Sequence, residues 1–305
     1  MEAMRWLSRP FFKKSTDRFE TVTISTSCQQ RKSAAMKEQL ETVFYESSAD
    51  GVVTLTMNRA EHGNAVVPEM ARDLLTAIAA LEGDNEVRVL VLTGAGRQFC
   101  AGADLAEFQR YLAEDLKRTE EPYNARVLHP VTQRLVACRL PLIAAINGGA
   151  TAGGLDLALA CDIRIASSSA KMGETYIRLG LAPGNGGTYF LPRLLGSGLA
   201  AELALTGDVI DAARALQIGL VNSVVDPAEL MSAAVGLAVR IAAYPRLAIE
   251  ATKQQLRNSW HTDLTSALNA SYWTTSALQR TRDVTEGVAA GREKRPPHYN
   301  RDGDE

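Results

Sequence analysis

Three short apolar runs constrain this chain more than any other feature: VRVLVLTG at 87–94, LIAAING at 142–148 and DIRIAS at 162–167. Each reads as a strand. Between and around them lie stretches with apolar residues at helical spacing, PEMARDLLTAIAALEGD from Pro68 and a second from about Val127 to Cys138. Strand, helix and strand in that order predict an α/β core. Ahead of them, TVFYES and VVTLTMN flank the turn-like SSADG and predict a hairpin. A helix over GLDLALACD, a strand at SAKMGE, a loop at LGLAPGNGG and helices at about 186–195 and 198–205 follow.

Three regions result. Residues 1–35 carry an excess of Arg and Lys with many Ser and Thr and no apolar period, which reads as a disordered leader or, with its acidic residues counting against it, a transit peptide. Residues 36–225 form the α/β core. Residues 226–305 are almost wholly helical in pattern.

The chain has 33 Lys and Arg against 35 Asp and Glu, a balance that argues against a nucleic-acid or anionic-membrane surface. No apolar run approaches the roughly 20 residues needed to span a bilayer, so a soluble, cytoplasmic protein is expected, with a mitochondrial location open if the leader is a transit peptide. Cys28, Cys100, Cys138 and Cys161 stand alone, as do the four histidines, which predicts inert thiols, no disulfide framework and no metal site.

AINGGATAGGLDLALACD (145–162) places four glycines in seven positions and then one carboxylate, Asp156. The glycines fit a tight strand-to-helix turn with close packing; they equally fit a ligand brought against free N–H groups at a helix N-terminus. The phosphate-loop and dinucleotide patterns are both missing. A second junction, GAGRQFCAGADL (94–105), likewise runs from an apolar strand into a helical pattern. Two such junctions can each supply one amide to a common point, the design of an oxyanion hole.

These two segments, with MNRAEHGNAV, LGLAPGNGGTYFLPRLLG, LTGDVIDAARALQIGLVNSVV and EGVAAGREKRPP, resemble in order the crotonase superfamily of enoyl-CoA hydratases and isomerases, over about residues 41–297. The resemblance implies a crotonase-like (ClpP/crotonase) spiral of repeated ββα units with a C-terminal helical trimerisation region. It implies an acyl-CoA thioester substrate, no cofactor beyond its coenzyme A moiety, and a homotrimer or homohexamer formed through the region after Asp226, whose apolar Leu230, Val235, Leu237, Val239 and Ile241 a small α/β core is not expected to cover fully.

By the same resemblance the amides of Ala103 and Gly153 grip the thioester oxygen. Asp156, nearly one turn after Gly153, faces the same pocket and handles the water or its proton. Tyr176 stands where hydratases carry a second glutamate and is expected to orient the water; Glu174, two residues away, is an alternative carboxylate. Coenzyme A is expected against Ala101, Ala103, Asp104 and Leu105, with Arg59 and Lys294 as phosphate contacts. Asn185 and His129 read as loop residues, and Tyr111 and Tyr123 as packing. Hydration of a 2-enoyl-CoA is the expected reaction. Alternatives are double-bond isomerisation on a single base, acyl-CoA hydrolysis or decarboxylation, and a non-catalytic acyl-CoA binder.

Overall fold

The expected hairpin is present in the computed structural model, which describes residues 37–48, 50–115 and 121–299. Strands β1 (Lys37–Gln39), β2 (Val43–Ser47) and β3 (Val52–Met57) are antiparallel neighbours. The apolar runs then add β4 (Val89–Gly94), β6 (Leu142–Ile146) and β8 (Ile163–Ser167) in parallel, and β11 (Ser223–Val225) closes a sheet of order β1-β2-β3-β4-β6-β8-β11.

Each of the three apolar strands is followed by a short strand of a second sheet. Gln98–Cys100 (β5), Gly149–Thr151 (β7) and Lys171–Gly173 (β9) lie side by side in parallel, and β10 (Val209–Asp211) completes the order β10-β9-β7-β5. Helices leave that second sheet: α2 (Leu105–Arg110) and α3 (Tyr123–Ala137) after β5, α4 (Gly153–Ala160) after β7, and α5 (Gly187–Leu195) and α6 (Ser197–Thr206) after β9. This is the repeated ββα spiral.

Both faces of the main sheet are covered, which explains why its strands read as unbroken apolar runs. Along β4, Leu90 and Leu92 join the inner core with α1 (Pro68–Gly83), while Val89 and Val91 point to the other face. There they meet α8 (Leu230–Ala242), which lays Leu230, Ala234, Ala238 and Ala242, spaced four apart, on the strands. Such spacing puts one stripe of a helix against a flat surface. Of the positions expected to be incompletely covered by the core, Leu230 is corrected, since it is buried on this sheet, whereas Val235, Leu237, Val239 and Ile241 are only partly buried against it.

Helices α7 (Ala212–Gln217), α9 (Arg246–Asn258), α10 (Leu264–Leu278) and α11 (Arg282–Glu293) finish the described chain. Buried Lys253 and partly buried Arg257 of α9 reach Asp162 at 2.8 and 2.9 Å, tying that helix to the start of β8. Exposed apolar side chains instead gather on α10, where Leu264, Leu268, Tyr272 and Trp273 are each at least 60 % exposed. No single helix among the described residues is long and apolar enough to cross a membrane. Cys100, Cys138 and Cys161 are free and buried, and Cys28 and the leader lie outside the described residues.

Candidate active site

The two glycine junctions meet where β5 and β7 hand over to α2 and α4. Glycine is obligatory at Gly154, where an added Cβ would lie 2.0 Å from the Cys100 carbonyl oxygen. The start of α4 therefore rests directly on the end of β5. A Cβ on Gly102 would come within 3.1 Å of the Gly153 nitrogen, so only bare backbone separates the two junctions. Close packing and an exposed main chain, the two readings of the glycine segment, are both true at different glycines.

Two amides are left over at this meeting. Ala103 forms a parallel bridge with Val66, in which the Val66 amide donates to Gly102 O at 2.7 Å and the Asp104 amide donates to Val66 O at 3.2 Å. In that pattern the neighbours of Ala103 make the bonds and its own N–H points away from Val66. Gly153 is the first residue of α4, so its N–H has no acceptor within the helix. Ala152 just before it has φ 47° and ψ −124°, a turn conformation that glycine normally fills. The strained alanine sets the direction of the Gly153 amide.

A cleft of about 630 Å³ opens here, lined among others by Ala101, Ala103, Asp104, Leu105, Ala152 and Tyr176. Asp156 is not among its walls. The side chain sits on α4, all eight residues of which are buried, and is itself 0 % exposed. Tyr176 lies between: its hydroxyl donates to Asp156 Oδ2 at 2.6 Å, and it stands 3.4 Å from where a Cβ on Gly153 would be. The expectation that Asp156 faces the pocket directly is corrected, because one helical turn from Gly153 carries it under the tyrosine rather than beside the cleft.

Glu174 is also 0 % exposed, and neither of its carboxyl oxygens receives a hydrogen bond from any ordinary donor. It adjoins Asp156 over the N-terminus of α5, since a Cβ on Gly187 would meet Glu174 Oε1 at 2.6 Å and Asp156 Oδ1 at 2.9 Å. Burial pushes both carboxyl groups well above the usual carboxylate range. For Asp156 the Tyr176 hydroxyl, Glu174 and the nearby Gly187 and Asn185 amides temper the rise; for Glu174 the charge of Asp156 adds to it. Burial, followed by the Asp156 charge, likewise raises Tyr176 far above an ordinary phenol.

Other expected residues fall elsewhere. Arg59 spends its guanidinium on Asp104 Oδ2 at 3.1 Å and on the Ala65 carbonyl, and Asp104 also caps α2 through the Ala106 and Glu107 amides. Asp104 keeps its place on the cleft; Arg59 and Lys294 are not among its walls. Lys294 is instead the left-handed terminus of α11, with φ 56°. Arg178 and His62 line the cleft and were missed, since neither carries a local motif. His129 contacts the Gly184 carbonyl and Thr132 donates to Asn185 Oδ1 at 3.0 Å, which pins the PGNGG loop against α3. Tyr111 and Tyr123 pack edge to face at 5.4 Å.

The family model for enoyl-CoA hydratase/isomerase matches residues 47–302. The chain belongs to the enoyl-CoA hydratase/isomerase family. It is 37% identical over 259 residues to the short-chain-enoyl-CoA hydratase of Clostridium acetobutylicum, covering 84% of this chain and 97% of that one. It is also 37% identical over 252 residues to the 1,2-epoxyphenylacetyl-CoA isomerase of Escherichia coli, with 82% and 95% covered. The crystal structure of an enoyl-CoA hydratase from Bacillus anthracis superposes with a TM-score of 0.80 at 35% identity, covering 85% and 99% of the two chains. Within this family the chain is an enzyme of the lyase or isomerase kind acting on acyl-CoA thioesters.

Proposed function

We propose that this protein adds water across the double bond of a 2-enoyl-CoA, with an enolate held by the amides of Ala103 and Gly153. The observation that carries the reading is the meeting of two amides without main-chain acceptors among the described residues beside a cleft lined by Ala103, Ala152 and Tyr176, with the buried Asp156 carboxylate behind the tyrosine. Preorganised amides are most effective where charge develops out of water. As water attacks Cβ, its proton passes to the Tyr176 oxygen while the Tyr176 proton passes to Asp156. The reverse transfer delivers a proton to Cα, leaving a 3-hydroxyacyl-CoA with every atom of the water accounted for. Tyr176 thus acts as a conduit, and a high phenol pKa is no obstacle because the phenolate never accumulates.

Coenzyme A lies along Ala101, Asp104 and Leu105 in this reading, with Arg178 taking the phosphate role expected of Arg59, and no further cofactor is required. The exposed row on α10 carries self-association into a trimer or hexamer; sedimentation as a stable monomer at micromolar concentration would contradict that part. A cytoplasmic location belongs to the same reading, which is supported by bacterial relatives. Incubation with crotonyl-CoA and with a 3-enoyl-CoA tests the reaction. A hydroxyacyl product from the first supports hydration. A shifted alkene from the second, without hydration of the first, supports isomerisation instead. Tight binding of both without turnover supports a binder.

A further inference from the structure

Glu174 is a full carboxyl group enclosed by protein, and among the described residues neither of its oxygens has an ion-pair or hydrogen-bond partner. Among the described residues, the titratable groups whose charges act on this cluster are Asp156 from α4, Tyr176 from its own segment and Cys100 of β5 beyond Tyr176, and α5 brings Gly187 against it. Two carboxylates this close and this dry cannot both be ionised. The charge goes to the partner with the better donors. Asp156 has the Tyr176 hydroxyl at 2.6 Å and the Gly187 and Asn185 amides near it; Glu174 has no donor on either oxygen. A neutral acid needs only an acceptor for its own O–H, and Asp156 Oδ1, which makes no well-formed hydrogen bond of its own, is that acceptor.

We propose that Glu174 is a positioning residue: held as the neutral carboxylic acid, it donates its proton to Asp156 and keeps that carboxylate turned toward Tyr176, so that the buried pair carries a single negative charge. The proton on Glu174 is not the one exchanged with substrate. It locks the rotamer of Asp156 and strengthens the acceptor's preference for one proton at a time. The proposal rests on the reading of Asp156 as the base, yet its first test is independent of the reaction.

That test counts protons. On unfolding in guanidinium at pH 7, Glu174 passes from neutral to ionised and releases its proton, so the wild-type protein releases about one proton per chain more than Glu174→Gln does. Equal release by the two proteins would overturn the proposal. Should Glu174→Gln not fold, infrared spectra of the wild type serve instead: an un-ionised carboxylic acid carbonyl band persisting at about pH 8 is expected, and its absence would be equally fatal. Turnover supplies a second readout. Glu174→Gln keeps a neutral donor and retains kcat within about threefold, whereas an ionised Glu174 acting as the base would lose about 100-fold on the same change. Glu174→Leu removes the donor, so the acid limb of the kcat profile moves to higher pH, while in Glu174→Gln it stays; a purely space-filling Glu174 would shift neither. Failure to hydrate crotonyl-CoA leaves the proton count untouched, which separates this proposal from that of the reaction.

Discussion

Replacing Tyr176 by Phe deletes one oxygen, and that oxygen joins the cleft to Asp156 through the hydrogen bond it donates to Oδ2. From the sequence, Tyr176 merely orients water and Asp156→Asn should be much the worse change. With Asp156 at 0 % exposure and the tyrosine hydroxyl 2.6 Å from its Oδ2, the two changes break the same route and should cost alike. General acid–base assistance is worth roughly 100-fold or more, so kcat should fall at least that far in each, about 2.7 kcal/mol of barrier. KM should change by no more than about threefold, because the Ala103 and Gly153 amides are untouched. Folding stability should fall by about 2 kcal/mol in Tyr176→Phe, the scale for a buried hydrogen bond to a charged acceptor. The double variant should be scarcely worse than either single one, as for residues that act as a unit. The assay is loss of crotonyl-CoA absorbance, with denaturant titration alongside. Tyr176→Phe retaining kcat within tenfold while Asp156→Asn loses 100-fold would refute the relay and show that Asp156 reaches the substrate by another path.

The pH dependence should carry the mark of the buried pair: Asp156 is pushed up to about 7, and a base must be ionised, so kcat should rise with pH through an acid limb near neutrality. Stability should move the opposite way; both folded carboxyl groups bind their protons more tightly than the unfolded chain does, so their contribution is fully present below the ordinary carboxylate range and is lost as pH rises through the folded values, seen as a falling denaturation midpoint from pH 5 to 8. Ala152→Gly should relieve the turn at φ 47° and stabilise the fold by about 1 kcal/mol by denaturant titration, with destabilisation counting against that account. Gly154→Ala, whose Cβ would lie 2.0 Å from Cys100 O, should cost at least about 2 kcal/mol and separate the two junctions, lowering turnover with it; a neutral effect would mean that β5 and α4 can part without harm.

What the residues determined alone is everything that depends on local period and chain order. The apolar runs at β4, β6 and β8 are strands because both sheet faces are covered, and the hairpin about SSADG follows from its turn residues. The closeness of main chain to main chain at the two junctions was legible too, since the glycines at 102, 153 and 154 leave backbone bare wherever they lie. Side-chain direction was not. Three residues after Gly153 is nearly one helical turn, but whether that turn faces the cleft or the protein depends on what packs beneath it, and here Tyr176 and the start of α5 do. The pairing of Asp156 with Glu174 brings together positions eighteen apart on different elements, and no local pattern encodes it. Arg59 was misplaced for a related reason: a cation's partner is whichever carboxylate or carbonyl folding brings within reach, and for Arg59 that is Asp104, forty-five residues away. Backbone character is written in neighbouring residues; the environment of a buried charge is set by segments distant in the chain, so only the tertiary structure decides it.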